Sequence, residues 1–183
     1  MKTKMKNSTK LIATAVAAVG IFFGAQQANA QTKEANPWRF GIGLEAGAPT
    51  GNLHDVSNFE LGGTARLQYG ADKGLAWTLT SGYYNAFGKE LGTVGGTTIK
   101  SASVGIVPLK AGLKAFFADN IYFGAEAGAG FETKGAKDTK LILAPGLGYA
   151  GKSLDIGVRY ENFSGQGNNY GLVGLRVAYG FGL

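Results

Sequence analysis

The octapeptide Gly146-Leu-Gly-Tyr-Ala-Gly-Lys-Ser153 satisfies G-x-x-x-x-G-K-[ST], the spacing of a loop that cradles nucleotide phosphates in its backbone N–H groups. A second candidate for chemistry is the one histidine of the chain, His54, with Asp55 beside it and Ser57 close by: a base, an acid and a hydroxyl within four residues. A third is a scattered set of charges, Arg39, Arg66, Lys110, Lys114, Arg159 and Arg176 against Glu45, Glu60, Glu126, Asp155 and Glu161. Each set acts only on a suitable scaffold. A phosphate loop needs a strand before it and a helix after it, so that the phosphate meets a helix N-terminus. A catalytic triad needs an imidazole that reaches both partners, which the adjacent side chains of His54 and Asp55 do not readily allow.

The elements that must position these residues are strands. No stretch sustains a 3.6-residue apolar period, whereas a period of two recurs along the whole chain after its first thirty residues. From Trp38 to Ala48 the even positions Trp38, Phe40, Ile42, Leu44, Ala46 and Ala48 are apolar, and the odd ones are Arg39, Glu45 and glycines. The same split marks Phe59 to Ala71, Leu75 to Tyr84, Val107 to Phe117, Ile121 to Phe131, Leu141 to Tyr149, Leu154 to Glu161 and Gly171 to Leu183. That predicts eight strands. The segment Thr98 to Ile106 changes phase near Pro108, where a bulge is expected.

Connections alternate in length. Asp72-Lys73-Gly74, Ala118-Asp119-Asn120 and Gly151-Lys152 are tight, while Pro49 to Asn58, Asn85 to Thr97, Glu132 to Lys140 and Ser164 to Tyr170 are long. The pattern predicts an all-β fold, an eight-stranded antiparallel up-and-down barrel with every tight turn at one end. It also decides the octapeptide, because a strand and not a helix follows Lys152. Gly151-Lys152 is a hairpin turn, and no nucleotide or other cofactor is expected.

The first thirty residues are an address. Lys2, Lys4, Lys6 and Lys10 precede the apolar run Leu11 to Gly24 and then Ala28-Asn29-Ala30, the order of a secretory signal with cleavage expected after Ala30. Residues 31–37 then form a short leading segment and 38–183 the barrel. Four of the eighteen Lys and Arg lie in the signal, which leaves fourteen against twelve Asp and Glu. The mature chain is therefore nearly neutral, and nucleic acid is not an expected partner. The chain has no cysteine, which excludes a lipid-anchoring thiol, disulfides and a cysteine metal site.

Which face meets water separates the function classes. A soluble barrel would turn the apolar face inward and leave an exterior made largely of glycine, a poor covering for a strand. A membrane barrel turns that face to lipid and keeps glycine and charge inside. Strand lengths of about nine to thirteen residues suit a tilted crossing, and large aromatics collect near the tight-turn ends: Trp38, Tyr69, Trp77, Phe117, Phe123, Tyr149, Tyr179 and Phe181, as an interfacial girdle requires.

With the signal ending Ala28-Asn29-Ala30, the opening strand Phe40-Gly-Ile-Gly-Leu-Glu-Ala-Gly47 and the closing strand Leu175-Arg-Val-Ala-Tyr-Gly-Phe181, the mature chain resembles the small eight-stranded outer-membrane β-barrels of Gram-negative bacteria, the OmpX-like and OmpA-like, porin-family barrels. The resemblance implies a protein of the cell outer membrane with periplasmic termini and turns and long loops at the cell surface. It implies a structural, adhesion or surface-interaction role and no enzymatic activity. Lipid and lipopolysaccharide would be its surroundings, the barrel-assembly machinery its partner during insertion, and a monomer its state. Many members end in Phe; here Phe181 precedes Gly182-Leu183 and is expected to stand in for it. No peptidoglycan-binding domain is expected behind the barrel.

Two other classes compete. A soluble lipocalin-like carrier of a small apolar ligand would use Trp38, which is similar in place to a tryptophan near the N-terminus of those proteins. A lipid-modifying barrel enzyme would need a base beside a nucleophile, for which only His54 with Asp55 and Ser57 offers itself. For the membrane reading, the eleven charges are expected to form an ion-pair network that closes the lumen. The loops Asn85 to Thr97 and Glu132 to Lys140 are expected to be accessible to protease, with Lys134, Lys137 and Lys140 as trypsin sites.

Overall fold

The computed structural model describes residues 37–183 apart from 73, 95–96, 135–136 and 166–168; the signal expected over 1–30 and most of the leading segment 31–37 lie outside the described residues. The strands are β1 (Trp38–Gly51), β2 (Ser57–Asp72), β3 (Leu75–Gly88), β4 (Glu90–Val94), β5 (Thr97–Lys100), β6 (Val104–Phe116), β7 (Ile121–Lys134), β8 (Thr139–Ala150), β9 (Leu154–Ser164) and β10 (Tyr170–Gly182). One short helix, α1 (Asn52–Val56), joins β1 to β2.

Eight of these strands close into an antiparallel barrel in the order β1-β2-β3-β6-β7-β8-β9-β10, and β4 and β5 form a separate hairpin. Closure is made by β1 on β10, paired from Arg39 opposite Gly182 to Gly51 opposite Tyr170. A sheet closed on itself has no edge, so every strand's ladder is answered by a neighbour.

The period of two sets the faces. Inward positions are the more buried and outward apolar ones the more exposed along the barrel strands, for example Trp77 and Leu79 outside against Thr78 and Thr80 inside. Glycine on the inward face lets strands and long side chains approach. Gly128 is a sharp case: a Cβ there would lie 2.0 Å from the Leu109 carbonyl oxygen and 2.7 Å from the Lys110 Cα. Gly128→Ala is therefore expected to lower stability by about 1–3 kcal/mol through overpacking. Denaturant unfolding of the refolded barrel in detergent measures it, and a change near zero would mean that the β6–β7 ladder shifts freely.

Three expectations are corrected. The segment Asn85 to Thr97 is not one long loop: β3 runs on to Gly88 and the β4–β5 hairpin follows, with Glu90 opposite Lys100. Asn85 on the outward face, and the glycines Gly88, Gly92, Gly95 and Gly96, interrupt the alternation there. The bulge lies between Gly105 and Ile106 against β7 and not at Pro108. Pro108 keeps the inward phase and is fully buried, while the β3–β6 ladder steps from Ser81–Leu109 to Tyr84–Ile106 past this residue, which has no N–H to give. The Ser81 hydroxyl donates instead to the Pro108 carbonyl at 2.9 Å.

The interior is also not glycine and charge over its whole length. At the long-connection end, Leu53 of α1, Ile106, Ile142, Phe163 and Leu172 pack with Tyr84 and Tyr170 into an apolar cluster. Phe163 stacks on Tyr170 at 4.9 Å between ring centroids. Each such side chain taken out of water contributes roughly 1.5–3 kcal/mol. The ion-paired charges that cross the lumen lie below this cluster, in the middle and toward the tight-turn end.

Candidate functional site

The octapeptide motif lies in β8, the turn after it and no helix. Gly146 and Gly148 are on the inward face of β8, and β9 begins at Leu154. His54 sits on exposed α1, where its backbone carbonyl accepts from Lys89 Nζ at 3.1 Å. The Ser57 hydroxyl is committed to the Phe59 carbonyl at 3.1 Å. Among the described residues no hydrogen bond joins the His54 ring to Asp55 or Ser57.

The barrel interior brings nine of the eleven expected charges together. Lys110, fully buried on β6, lies 2.6 Å from Glu161 and 3.5 Å from Glu126, and donates to the Tyr84 hydroxyl at 3.0 Å. Glu126 also receives Arg66 at 2.7 Å and the Thr80 hydroxyl at 2.9 Å. Arg159 pairs with Glu45 and Glu161. Arg176 reaches Glu45 at 3.4 Å and donates through Nε to the Thr64 hydroxyl, which itself donates to Glu45 at 2.7 Å. Asp155 pairs with Lys114, accepts from the Tyr122 hydroxyl at 2.9 Å, and lies 3.8 Å from Arg176 and 4.0 Å from Arg66. Lys114 also stands 4.2 Å over the Tyr122 ring. These contacts cross the lumen between strands far apart in sequence.

The other two charges stay outside that network. Arg39 stands at the tight-turn rim and donates to the carbonyls of Gly151 and Lys152, where it holds the β8–β9 turn. Glu60 is buried, yet neither of its carboxylate oxygens has a hydrogen-bond partner among the described residues. Parity puts Glu60 inside correctly, but its height along β2 sets it beside Leu172 and Tyr84, next to the apolar cluster and short of the cations. Glu60→Met is accordingly expected to stabilise the barrel by about 1–3 kcal/mol, since an unsatisfied buried polar group is removed and a flexible apolar one of similar length replaces it. Equilibrium unfolding decides; a loss of stability would mean that Glu60 has a partner in solution.

Sequence reasoning passed over the uncharged members, Thr64, Thr80, Tyr84 and Tyr122, although all four share the inward parity. It also misplaced Lys140. That lysine is buried on β8, 3.2 Å from Asp138 and donating to the Gly165 carbonyl at 2.9 Å, so it is not a protease site; Lys134 and Lys137 are exposed. Beside it the Tyr170 hydroxyl donates to Glu132 at 2.7 Å, which ties β10 to β7 at the long-connection end.

On the outside, Trp38, Tyr69, Trp77, Phe117, Phe123, Tyr149 and Phe181 are exposed and Tyr179 half-buried, all on outward positions toward the tight turns. Trp38 packs on Tyr69 at 4.8 Å, and Phe40, which the reading of the girdle omitted, meets Phe181 edge-on at 5.6 Å. A second set of outward aromatics, Phe59, Tyr83, Phe131 and Tyr160, lies toward the long connections. Leu79, Leu109, Leu147, Val158 and Leu175 fill the band between. The molecule thus buries Lys110 and Glu161 and exposes Leu79, Leu109, Leu147 and Leu175, the reverse of a protein surrounded by water.

No protein-family model matches the chain, and no curated protein matches it. Solved structures do. The crystal structure of Ail, the attachment invasion locus protein of Yersinia pestis, aligns over 81% of this chain and 100% of its own at 13% identity, with a TM-score of 0.58. The N-terminal β-barrel domain of Pseudomonas aeruginosa OprF aligns over 81% and 100% at 14% identity and TM-score 0.53. Neisserial surface protein A does so over 81% and 100% at 15% identity and TM-score 0.50. Ail has also been solved in complex with the heparin analogue sucrose octasulfate. At these identities the likeness is one of fold, and the fold is that of the small eight-stranded outer-membrane barrels.

Proposed function

We propose that this chain, which has the fold of the small eight-stranded outer-membrane barrels, is an integral protein of the outer membrane with a structural, adhesion or surface-interaction role and a lumen that does not conduct. The observation that carries the reading is the inverted polarity of the barrel: an apolar band between two sets of aromatics outside, paired charges inside. A soluble carrier would need an apolar cavity for its ligand, and here ion pairs and packed side chains occupy that volume. The fold neighbours named for attachment and for the cell surface support the choice of role, as does the placement of exposed apolar residues on the β4–β5 hairpin, where Leu91 and Ile99 stand free.

In this reading the tight turns face the periplasm, and lipid and lipopolysaccharide surround the band. A monomer inserted by the barrel-assembly machinery after signal removal suffices, because the closed sheet offers no edge to a second copy. Planar bilayers containing the purified barrel test the closed lumen: no stable channels of porin size are expected, and their appearance would contradict it. Intact cells carrying the chain, compared with cells in which residues 90–100 are replaced by a short glycine linker, test the surface role by adherence to anionic glycan surfaces. Equal adherence at equal barrel content would remove the hairpin from that role.

A further inference from the structure

Gly41 of β1 is a Cα partner of both Gly180 of β10 and Arg66 of β2, and the inward gap left by the two glycines is ringed by guanidinium groups. A cavity of about 30 Å³ lies there, lined by Arg39, Arg66 and Arg176 together with Gln68 and one carboxylate, Asp155. Three fixed cations therefore face one anion. That anion is itself shared with a fourth cation, Lys114. Arg66 directs its shortest ion pair away from the cavity to Glu126, and Arg39 donates to the backbone carbonyls of Gly151 and Lys152, with no carboxylate partner among the described residues.

Arg176 adds an independent observation. Its Nε is hydrogen-bonded to Thr64 and its Nη1 faces Asp155, but its Nη2 is buried and has no hydrogen-bond partner among the described residues. The side chain as a whole is 3% exposed. A Cβ built at Gly41 would lie 3.9 Å from that Nη2 and no closer than 3.4 Å to anything else, so the free nitrogen points at the space the glycine leaves. Arg176 shares Glu45 at 3.4 Å with Arg159 and Asp155 at 3.8 Å with Lys114, so a buried donor left unused is costly there, and an anion in the gap would satisfy it. Guanidinium forks fit the spaced oxygens of a tetrahedral oxyanion better than they fit a single point charge.

We propose that this tight-turn end of the lumen is a binding site for a small inorganic oxyanion of the phosphate or sulfate class. Arg176 Nη2 and Arg39 are its principal donors, Arg66 and Gln68 line it, and Gly41 leaves the room. The inference rests on the interior of the folded barrel alone, and holds whichever way the barrel faces in a membrane.

The test uses the refolded chain in a maltoside detergent, which contributes no phosphoryl group, so that added inorganic phosphate is the sole source. Saturable phosphate binding by titration calorimetry is expected, with a rise in the thermal unfolding midpoint that chloride at matched ionic strength does not reproduce. Arg39→Gln should weaken phosphate binding about tenfold, the loss of one charge-assisted contact. Gly41→Val should abolish it while the barrel keeps its heat-modifiable mobility on gels. Lys134→Gln, the same charge change at the opposite end, should leave binding unaltered. If Gly41→Val does not fold, the contrast between Arg39→Gln and Lys134→Gln decides. No saturable binding, an equal response to chloride, or equal effects of Arg39→Gln and Lys134→Gln would each overturn the proposal.

Discussion

Lys110→Met is expected to destabilise the barrel by about 3–5 kcal/mol, the loss that follows when one partner of a buried ion pair is removed. Lys110 is fully buried between Glu161 at 2.6 Å and Glu126 at 3.5 Å. Without it Glu161 keeps only Arg159 and Glu126 keeps only Arg66, and two carboxylates share the space one cation had neutralised. Lys100→Met is the matched control, because its pair with Glu90 at 3.2 Å is more than half exposed and an exposed pair is worth about 0–1 kcal/mol. Fluorescence of Trp38 and Trp77 during denaturant unfolding in vesicles measures both, since these residues leave the band when the barrel opens. Equal effects of the two substitutions would mean that water screens the lumen and the network does not hold the barrel shut.

Leu175→Arg is expected to cost about 2–4 kcal/mol, the penalty for a cation on the lipid face near the middle of the hydrocarbon layer. Leu175 is on the outward face near the centre of β10, opposite Ala46 and Val158, and is 45% exposed. Leu91 is 61% exposed on the β4–β5 hairpin, and Leu91→Arg is expected to cost nothing measurable. The pair of variants separates two surroundings for the same residue type. In water both substitutions would be close to neutral; in lipid only the hairpin one is.

Strand alternation carried most of this architecture in the sequence, and the residues show why. Inside and outside differ by parity alone, so Glu45, Arg66, Lys110, Lys114, Glu126, Asp155, Arg159, Glu161 and Arg176 could be placed on the lumen face with no knowledge of pairing. Parity says nothing about height. Glu60 has the right parity and the wrong level, beside Leu172, and Arg39 has the right parity at the rim, where turn carbonyls are its partners. The apolar cluster at the long-connection end was hidden for the same reason: Ile106, Ile142 and Phe163 are large apolar residues on a face that elsewhere holds charge and glycine, and only the three-dimensional level unites them. The end of β3 was missed because Asn85 takes an outward place before Phe87, and Lys140 was read as loop because the β8 pattern becomes recognisable only at Leu141. The octapeptide was legible in the opposite sense, since its flanking alternation excluded a phosphate loop despite a complete match.

The central claim, that the apolar band lies in lipid with the tight turns and the hairpin on opposite sides, is most directly tested by single-cysteine labelling. The chain has no cysteine of its own, so each introduced thiol reports one place. Leu91→Cys, Lys152→Cys and Leu175→Cys would be exposed in intact cells to a membrane-impermeant maleimide. Labelling of Leu91→Cys in intact cells, of Lys152→Cys only after the outer membrane is opened, and of Leu175→Cys only after denaturation is the predicted result. Ready labelling of Leu175→Cys in the folded protein, at the rate of Leu91→Cys, would contradict it.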